Sequence, residues 1–338
     1  MIAIQKYHDF EPIKHHWEVL LKGNSNASFY QSVAYIEVLW KHILPYKLIL
    51  RQTPEFYLFT ENDKPIMILP LFRKWFKRGY TLFGYKAGCG YLDAVYDDNM
   101  TLEKMRACFS LFAAENQVDV FPFCHICDNS LLYQFLLQDS QTQEQTPRVV
   151  IDLPESFEEY TASLSKNARQ NLRTAYNRLR KDEHKYEMRI FSPQEMDKHL
   201  RNALLRIYAD RQIRHYKKAW GIFYRLFIRY IDIGTVVHSE MSSCVKSFVL
   251  FIDGNVAGYF DAFCTENSVV IPRLAIDDTY ARYSPGMVLL NESISHFCEG
   301  KKIRTVDLTH GHEPYKLSMG GTKKDCLKGT LLLEKGVR

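Results

Sequence analysis

The stretch from Val269 to Gly321 constrains the fold of this chain more than any other. It opens with a run rich in β-branched residues that continues to Ile276, and a second such run covers 305–308. Both runs are typical of buried strands. Between them, apolar residues recur at i, i+3 and i+4 spacing, namely Met287, Leu290, Ile294 and Phe297. This pattern predicts a strand, a half-buried helix and a second strand.

The start of the predicted helix favours the binding of an anion. Ser284 suits the N-cap, and Pro285 suits the first helical position, where its missing N–H costs nothing. Gly286 leaves the backbone open to close approach, and Arg282 lies nearby. Free N–H groups and the positive end of a helix attract phosphate. We therefore expect a cofactor site here, next to the tyrosine-bearing segment 310–316.

Length and composition indicate a globular protein of two domains. The chain has 338 residues, of which 46% are hydrophobic and 25% are charged. It contains no apolar run of membrane-spanning length and begins without a signal-peptide pattern, so we expect it in the cytoplasm. Its eight cysteines lack the spacing of a disulfide framework and are interpreted as reduced thiols.

The pair Cys124 and Cys127 has the spacing of a metal or redox motif. A structural zinc site needs a second pair at similar spacing, and the sequence offers none. We interpret the pair as the end of a strand, and we expect no metal.

One segment carries a strong positive charge. Between Leu164 and Lys185 there are seven basic and two acidic residues, which gives this segment a net charge of +5, equal to that of the whole chain. Its apolar residues (Leu164, Ala168, Leu172, Ala175 and Leu179) predict an amphipathic helix with one buried face. Charged helix faces are usually only solvated. Here few acidic partners are available, so the helix could also bind an anionic acceptor.

Three motifs in the second half resemble a known family. They are the segment 165–173, similar to an S-x-x-x-R-x-N-L-R signature, the Ser-Pro-Gly helix start at 284–286, and the spacing Asp307-x-x-x-Gly311-x-x-x-Tyr315-Lys316. Together they resemble the CelD-like branch (cellulose-biosynthesis-type acyltransferases) of the GNAT acetyltransferase superfamily, which is related to the Fem peptidyltransferases. Segments 29–40 and 69–84 also resemble this branch, so the likeness covers most of the chain.

The resemblance implies an α/β (α+β) fold of two GNAT-like domains side by side, each a twisted, mostly antiparallel mixed sheet flanked by helices. We expect a degenerate domain over 1–150 and, over 151–338, a domain with the acyl-CoA site. The polar segment 138–147 is predicted to be a surface loop or linker. The residues expected to bind acetyl-CoA or another acyl-CoA are Leu274, Ala275, Ile276, Arg282, Ser284, Gly286 and Met287. Pro285 departs from the usual glycine-rich loop and removes one amide donor.

The chemistry implied by the resemblance is attack of an amine on a thioester, which needs a base and an acid. Tyr315 occupies the place of the superfamily's tyrosine and is the predicted acid, although it could instead be a packed aromatic. The candidates for the base are Asp307, His310, His312 and Glu313, with His310 or Glu313 preferred. Asp307 could instead cap a turn. A metal at His310 and His312 would lack an evident third ligand.

The acceptor is expected to be a small molecule or glycan precursor, and an anionic one. The residues predicted to bind it are Lys166, Arg169, Arg173, Asp93 and Lys316. The leading hypothesis is an N-acyltransferase acting on an amino sugar of a surface polysaccharide or its precursor. The alternatives are a Fem-type transferase that uses aminoacyl-tRNA, and a non-catalytic binding module of the same fold. DNA is not an expected partner, and no transmembrane segment is expected.

Overall fold

The structure is a computed structural model that describes residues 1–43, 52–74, 79–85, 89–216, 244–311 and 313–333. The packing of the chain divides it into two compact units. Unit 1 comprises Met1–Pro147 and Asp325–Arg338, and unit 2 comprises Arg148–Lys324. The expected boundary near residue 150 lies close to this division. The C-terminal segment differs from the expectation, because Cys326–Leu332 pairs with the strand that contains Cys127 and so belongs to unit 1.

Unit 1 contains a sheet of long antiparallel strands with helices packed against it. Its strands are β1 (Ile2–Tyr7), β2 (Gln52–Glu61), β3 (Lys64–Lys74), β4 (Tyr80–Leu82), β5 (Val95–Tyr96) and β6 (Val120–Cys127). Its helices are α1 (Lys14–Lys22), α2 (Val33–Ile43), α3 (Leu102–Asn116) and α4 (Leu131–Asp139). The first four strands are ordered β1-β2-β3-β4, and β5 pairs with β3. The polar turn at 61–64 joins β2 to β3 as an antiparallel hairpin.

Two further strands cross from one unit into the other along the chain, β7 (Thr142–Asp152) and β13 (Thr322–Leu332). The prediction of a loop over 138–147 is therefore wrong for its second half. These residues alternate little between apolar and polar, so their sequence did not predict a strand. Their contacts within unit 1 use polar atoms, such as the Thr146 hydroxyl donating to the Cys326 carbonyl at 3.3 Å.

Unit 2 is built on a sheet ordered β7-β12-β11-β10-β9-β8. Its strands are β8 (Tyr186–Phe191), β9 (Val245–Ile252), β10 (Asn255–Cys264), β11 (Ser268–Ile276) and β12 (Thr305–His310). Its helices are α5 (Phe157–Ser163), α6 (Lys166–Lys181), α7 (Lys198–Tyr216), α8 (Pro285–Gly300) and α9 (Pro314–Ser318). Among the described strands of this unit, only β11 and β12 pair in parallel.

Helices cover both faces of this sheet. On one face, α6 and α8 bury the apolar residues that the sequence assigns to them, including Leu172, Leu179 and Ile294. On the other face, α7 packs Leu204 and Ile207 against β9, β10 and β11. The prediction of a mixed α/β fold with mainly antiparallel sheets flanked by helices is confirmed.

Candidate functional site

The central feature of unit 2 is the place where its two parallel strands separate. Strands β11 and β12 pair over only three residue pairs, the last of which joins Val270 to Asp307. Each strand contains a bulge just beyond this point. Strand β11 has one extra residue between Val270 and Arg273, and β12 has one between Asp307 and His310. Bulges bend a strand and end its pairing, so β12 no longer pairs with the edge of β11 beyond this point. We call this opening between the two strands the cleft.

Local contacts around Thr309 hold the bend in β12. This β-branched residue has a φ of +59°, a conformation that side chains of its kind rarely adopt. Its N–H donates to Asp307 Oδ1 at 2.7 Å, and its hydroxyl donates to the Ile271 carbonyl at 3.3 Å. Arg148 donates to Asp307 Oδ2 at 2.9 Å, and only 11% of either side chain is exposed. The Asp307 carboxylate therefore fixes the turn, which is the capping role, and its contacts do not support the role of base.

The bulge in β11 also reverses which side chains face which helix. Val269 and Ile271 belong to the core beneath α8, and beyond the bulge Leu274 takes the same side. Ala275 instead packs in the core beneath α7. Arg273 donates to the buried Asp261 carboxylate at 2.5 Å and lies over the Tyr208 ring at 4.7 Å. This buried ion pair beside the cleft was not identified from the sequence.

The start of α8 differs from its predicted geometry. Ser284 precedes Pro285 as expected, but it is left-handed (φ +50°) and its side chain makes no capping hydrogen bond. Its carbonyl accepts from the amides of Met287 at 3.0 Å and Val288 at 3.2 Å. Among the described contacts, the Gly286 N–H has no acceptor. A Cβ at Gly286 would lie 3.3 Å from a Leu274 methyl group, so this glycine allows close packing on β11.

Arg282 is not free to bind a ligand in the way the sequence suggests. Its guanidinium lies 3.3 Å from Asp182 Oδ2, at the end of α6. The Tyr283 hydroxyl donates to the same carboxylate at 2.9 Å and lies 2.9 Å from His184 Nε2. The other ring nitrogen of His184 lies 2.6 Å from Asp253 Oδ2. This chain of contacts ties the loop before α8 to α6 and to the β9–β10 turn.

Tyr315 lies in α9, directly after the cleft strand β12. Burial is the main cause that raises its pKa to about 12, and the charge of Glu313 adds to the shift, while Arg211 on α7 opposes it. The phenol is therefore protonated at neutral pH. A neutral phenol can donate a proton to a leaving thiolate, as the predicted acid must.

The turn between β12 and α9 is organised by a buried lysine. Only 4% of Lys316 is exposed, and its ammonium donates to the His310 carbonyl at 2.6 Å and pairs with Glu313 at 2.9 Å. Lys316 therefore holds this turn together and is neither solvated nor available to a phosphate. Burial would raise the pKa of Glu313, but the hydrogen bond and charge of Lys316 outweigh it and lower that pKa. His312 lies outside the described residues.

The basic helix α6 has fewer free cations than its sequence suggests. Arg169 donates to the carbonyls of Ala162 and Leu164, both at 2.8 Å, and thereby caps the end of α5. Arg178 donates to the Arg282 carbonyl at 2.8 Å. Lys166 and Arg173 are exposed and make no ion pair or hydrogen bond among the described residues. Only these two of the three predicted acceptor-binding cations on α6 remain available.

Asp93, the remaining predicted acceptor residue, lies in unit 1. It accepts from the Ala94 N–H at 2.8 Å and from the Tyr96 hydroxyl at 3.5 Å. Burial raises its pKa to about 7, although Ser130, Ala94 and Tyr96 oppose the shift. The structure shows it in a local hydrogen-bond network.

The residues present fit an acyl-CoA through backbone groups more than through side chains. The opened edge of β11 can hold an amide-bearing chain, and its residues are Leu274, Ala275 and Ile276. The start of α8 offers the Gly286 N–H, with Ser284 and Met287 on either side of it. The sequence did not identify four residues near this site, namely Thr309, Arg148, Arg273 and Arg211. A left-handed threonine and an arginine distant in sequence leave no local signal that could have identified them.

Comparison with known protein families gives a match within unit 2. Residues 166–317 match the family model described as "Acetyltransferase (GNAT) domain". All of these residues lie in unit 2. No curated protein sequence matches the chain.

Solved structures share the fold across nearly the whole chain. FemX has a TM-score of 0.59 and 9% identity, covering 96% of this chain and 96% of that chain. A conserved protein of unknown function from Bacteroides thetaiotaomicron has a TM-score of 0.57 and 11% identity, covering 98% and 100%. A tandem GNAT protein from the clavulanic acid biosynthesis pathway has a TM-score of 0.51 and 9% identity, covering 100% of both. At these identities the similarity establishes the fold alone.

Within the described parts of the chain, no helix is long and apolar enough to cross a membrane. The same residues contain no cluster of three or more histidine, cysteine, aspartate or glutamate side chains arranged to hold a metal ion.

Proposed function

We propose that this protein is an acyl-CoA-dependent N-acyltransferase whose site is the cleft between β11 and β12. The observation that carries the proposal is the separation of these two parallel strands after Val270 and Asp307, with a protonated tyrosine directly beyond. A bound acyl-CoA supplies the thioester. The opened edge of β11 can hydrogen bond with its amide-bearing chain, as an added strand does with a sheet edge.

Two residues of the α9 turn have the proposed catalytic roles. Tyr315 donates its phenolic proton to the departing sulfur, because its raised pKa keeps it protonated. Glu313 accepts the proton of the attacking amine. Its carboxylate is anionic, and 49% of the side chain is exposed, whereas the Asp307 carboxylate is enclosed by Arg148 and Thr309. Lys316 acts as a positioning residue that fixes Glu313 relative to β12.

The acceptor that we propose is an amino group on a small anionic molecule, such as an amino sugar of a surface polysaccharide or its precursor. Lys166 and Arg173 are exposed cations about two turns apart on α6, and together they suit a phosphate. The contacts of Arg169 and Arg178 with backbone carbonyls reduce the number of cations that α6 can offer to the long backbone of a tRNA. This observation favours the small acceptor over the Fem-type alternative.

The experiment is a thiol-release assay with acetyl-CoA and a longer acyl-CoA, and with glucosamine and UDP-glucosamine as acceptors. We expect acceptor-dependent release, with the lower KM for UDP-glucosamine. The double variant Lys166→Gln/Arg173→Gln should raise that KM by about three- to tenfold and leave the KM for acyl-CoA unchanged. Arg180→Gln removes a cation from the same helix and is the matched control.

Two outcomes would contradict this proposal. Absence of thiol release with every acyl-CoA and amine tried would argue against the reaction. Activity that requires aminoacyl-tRNA and falls steeply with salt would instead establish the Fem-type reaction, because tRNA binding releases many counterions.

A further inference from the structure

Unit 1 contains a cavity that has no part in the proposed reaction. Its volume is about 300 Å³, and buried apolar side chains form much of its wall, among them Leu82, Leu92 and Phe123. This volume is at the lower end of the range for small-molecule sites, about 300–1,000 Å³. Its size suits a ligand smaller than a nucleotide.

The cavity lies in a gap between strands. Strand β4 pairs with β3, with Phe72 opposite Thr81, and it is the last strand of its sheet. Strand β6 pairs with β13. Among the described strands, β4 and β6 do not pair with each other, and residues of both line the cavity. The gap is therefore a feature of the strand topology and not a packing defect within one core.

One polar side chain in the wall lacks a partner. Only 5% of Thr81 is exposed, and its hydroxyl makes no hydrogen bond with any described residue. Buried hydroxyl groups almost always have a partner, because an unpaired one loses its hydration without compensation. A ligand with a polar head would provide that partner.

The charged residues of the wall are cations. Lys74 and Lys328 line the cavity, and none of the described residues of its wall carries a carboxylate. Lys328 pairs with Glu144 at 3.1 Å, with both side chains more than half exposed, so this pair is weak. Lys74 makes no ion pair within the described structure. The wall therefore combines an apolar surface, an unsatisfied hydroxyl and an available ammonium group.

We propose that this cavity binds a small organic anion with an apolar body, of the size of a medium-chain carboxylate. The apolar body contacts Leu82, Leu92 and Phe123, and the anionic head is bound by Lys74. The site is separate from the acyl-CoA site, and the proposal does not depend on the reaction proposed for unit 2.

The test uses four probes with one alkyl body, namely octanoate, octyl phosphate, octylamine and octanol. Cys124 lines the cavity and is half-buried, so its alkylation by iodoacetamide, measured by mass spectrometry of the full-length protein, reports on occupancy. Octanoate should slow this alkylation at least fivefold at saturation. Octanol and octylamine should bind about tenfold more weakly, since they lack the anionic head. Cys264, a half-buried thiol of unit 2, is the internal control and should react at an unchanged rate.

Octyl phosphate tests whether the anionic head group of the natural ligand is a phosphate or a carboxylate. If it protects Cys124 better than octanoate does, the natural ligand is a phosphate, and if it protects less well the ligand is a carboxylate. Either order supports the anion site.

Three variants connect binding to named atoms. Lys74→Met should weaken octanoate about three- to tenfold and leave octanol unchanged. Thr81→Val should weaken octanoate by a similar factor, and its Tm should not fall, because it removes an unpaired hydroxyl. Leu82→Trp should fill the cavity and abolish protection. Tyr315→Phe, in unit 2, should bind octanoate as the wild type does.

The proposal is overturned if octanoate fails to slow alkylation of Cys124, or if octanol protects equally well. It is also overturned if Lys74→Met and Thr81→Val both bind octanoate with wild-type affinity. If Leu82→Trp proves unfolded, the Lys74→Met and Thr81→Val results decide the question without it.

Discussion

The two units place a strand, a helix and a strand in the same order, but they treat the helix start differently. In unit 1, the Thr101 hydroxyl accepts from the Lys104 N–H at 3.2 Å and caps α3. In unit 2, the Ser284 side chain does not cap α8, and the Gly286 N–H has no acceptor within the described structure. The first helix satisfies its own end, and the second leaves a donor for a ligand. This difference supports the proposal that the anionic cofactor binds unit 2.

The pairing of the strands beside these helices also differs between the two units. In unit 2, β11 and β12 stay paired to Asp307 and then separate at two bulges, so that the cleft has a fixed origin. In unit 1, β4 and β6 belong to different pairings, and only a cavity lies between them. The cleft in unit 2 begins where two strands are still paired, so it can position a thioester. The gap in unit 1 lies between strands that do not pair, and it can enclose only a small ligand.

The largest effect that distinguishes the units is expected at their tyrosines. Tyr315→Phe removes only the hydroxyl, so kcat should fall about 10²–10⁴-fold while acyl-CoA affinity stays nearly constant. Tyr133 follows β6 in unit 1, and its hydroxyl accepts from Gln145 at 3.2 Å. Tyr133→Phe is the matched control and should keep wild-type kcat. Steady-state kinetics and calorimetric titration of acyl-CoA measure both quantities.

Wild-type turnover in Tyr315→Phe would show that this ring only packs. A joint loss of turnover and acyl-CoA binding would indicate a structural role.

A smaller effect is expected from the two buried carboxylates. The pKa of Asp93 in the folded protein, about 7, lies above its usual value of 3.8 because of burial. The folded protein therefore holds this proton between about pH 4 and 7, and stability falls as pH rises through that window. Asp93→Asn should raise stability at pH 8 by up to about 4 kcal/mol and make little difference at pH 4.5.

Asp307→Asn is the comparison in unit 2. It leaves the buried Arg148 without its charged partner and should cost about 3–5 kcal/mol. Thermal melts at pH 5 and pH 8 measure both variants. If Asp93→Asn gives the same change in Tm at both pH values, the pKa of Asp93 is not raised in the folded protein.

The smallest effect concerns two glycines with positive φ in unit 2. Gly311 has φ +94°, and a Cβ there would lie 2.6 Å from Glu313 Oε2, whereas Gly254 has φ +77° and open space around it. Alanine at either position should cost about 1–2 kcal/mol of backbone strain. Only Gly311→Ala should also displace Glu313, and it should lower kcat about ten- to a hundredfold. Equal kcat in the two variants would argue against Glu313 as the base.

Much of the fold could be predicted from the sequence, because its signals are local. The spacing of Leu172 and Leu179, for example, identified the buried face of α6. Less of the site could be predicted. The conformation of Thr309 depends on Asp307, and the charge on Asp307 is matched by Arg148, which is far away in sequence. Pairing of this kind cannot be recognised from spacing.

The basic helix illustrates the same limit. Its seven cations are visible in the sequence, but the carbonyl partners of Arg169 and Arg178 exist only after α5 and the loop before α8 are in place. Lys316 was expected to bind the acceptor, and it is instead enclosed by its own turn. Charge content is readable from a sequence, whereas the availability of that charge depends on tertiary contacts.

Hydrogen–deuterium exchange with and without acetyl-CoA tests the central claim most directly. We predict slower exchange in peptides that cover Arg273–Ile276 and Ser284–Val288, because the cofactor would bind the open edge of β11 and the start of α8. Peptides that cover Thr81–Tyr85 in unit 1 should exchange at the same rate in both conditions. Protection confined to unit 1, or no protection of β11 at saturating acetyl-CoA, would contradict the assignment of the acyl-CoA site to unit 2.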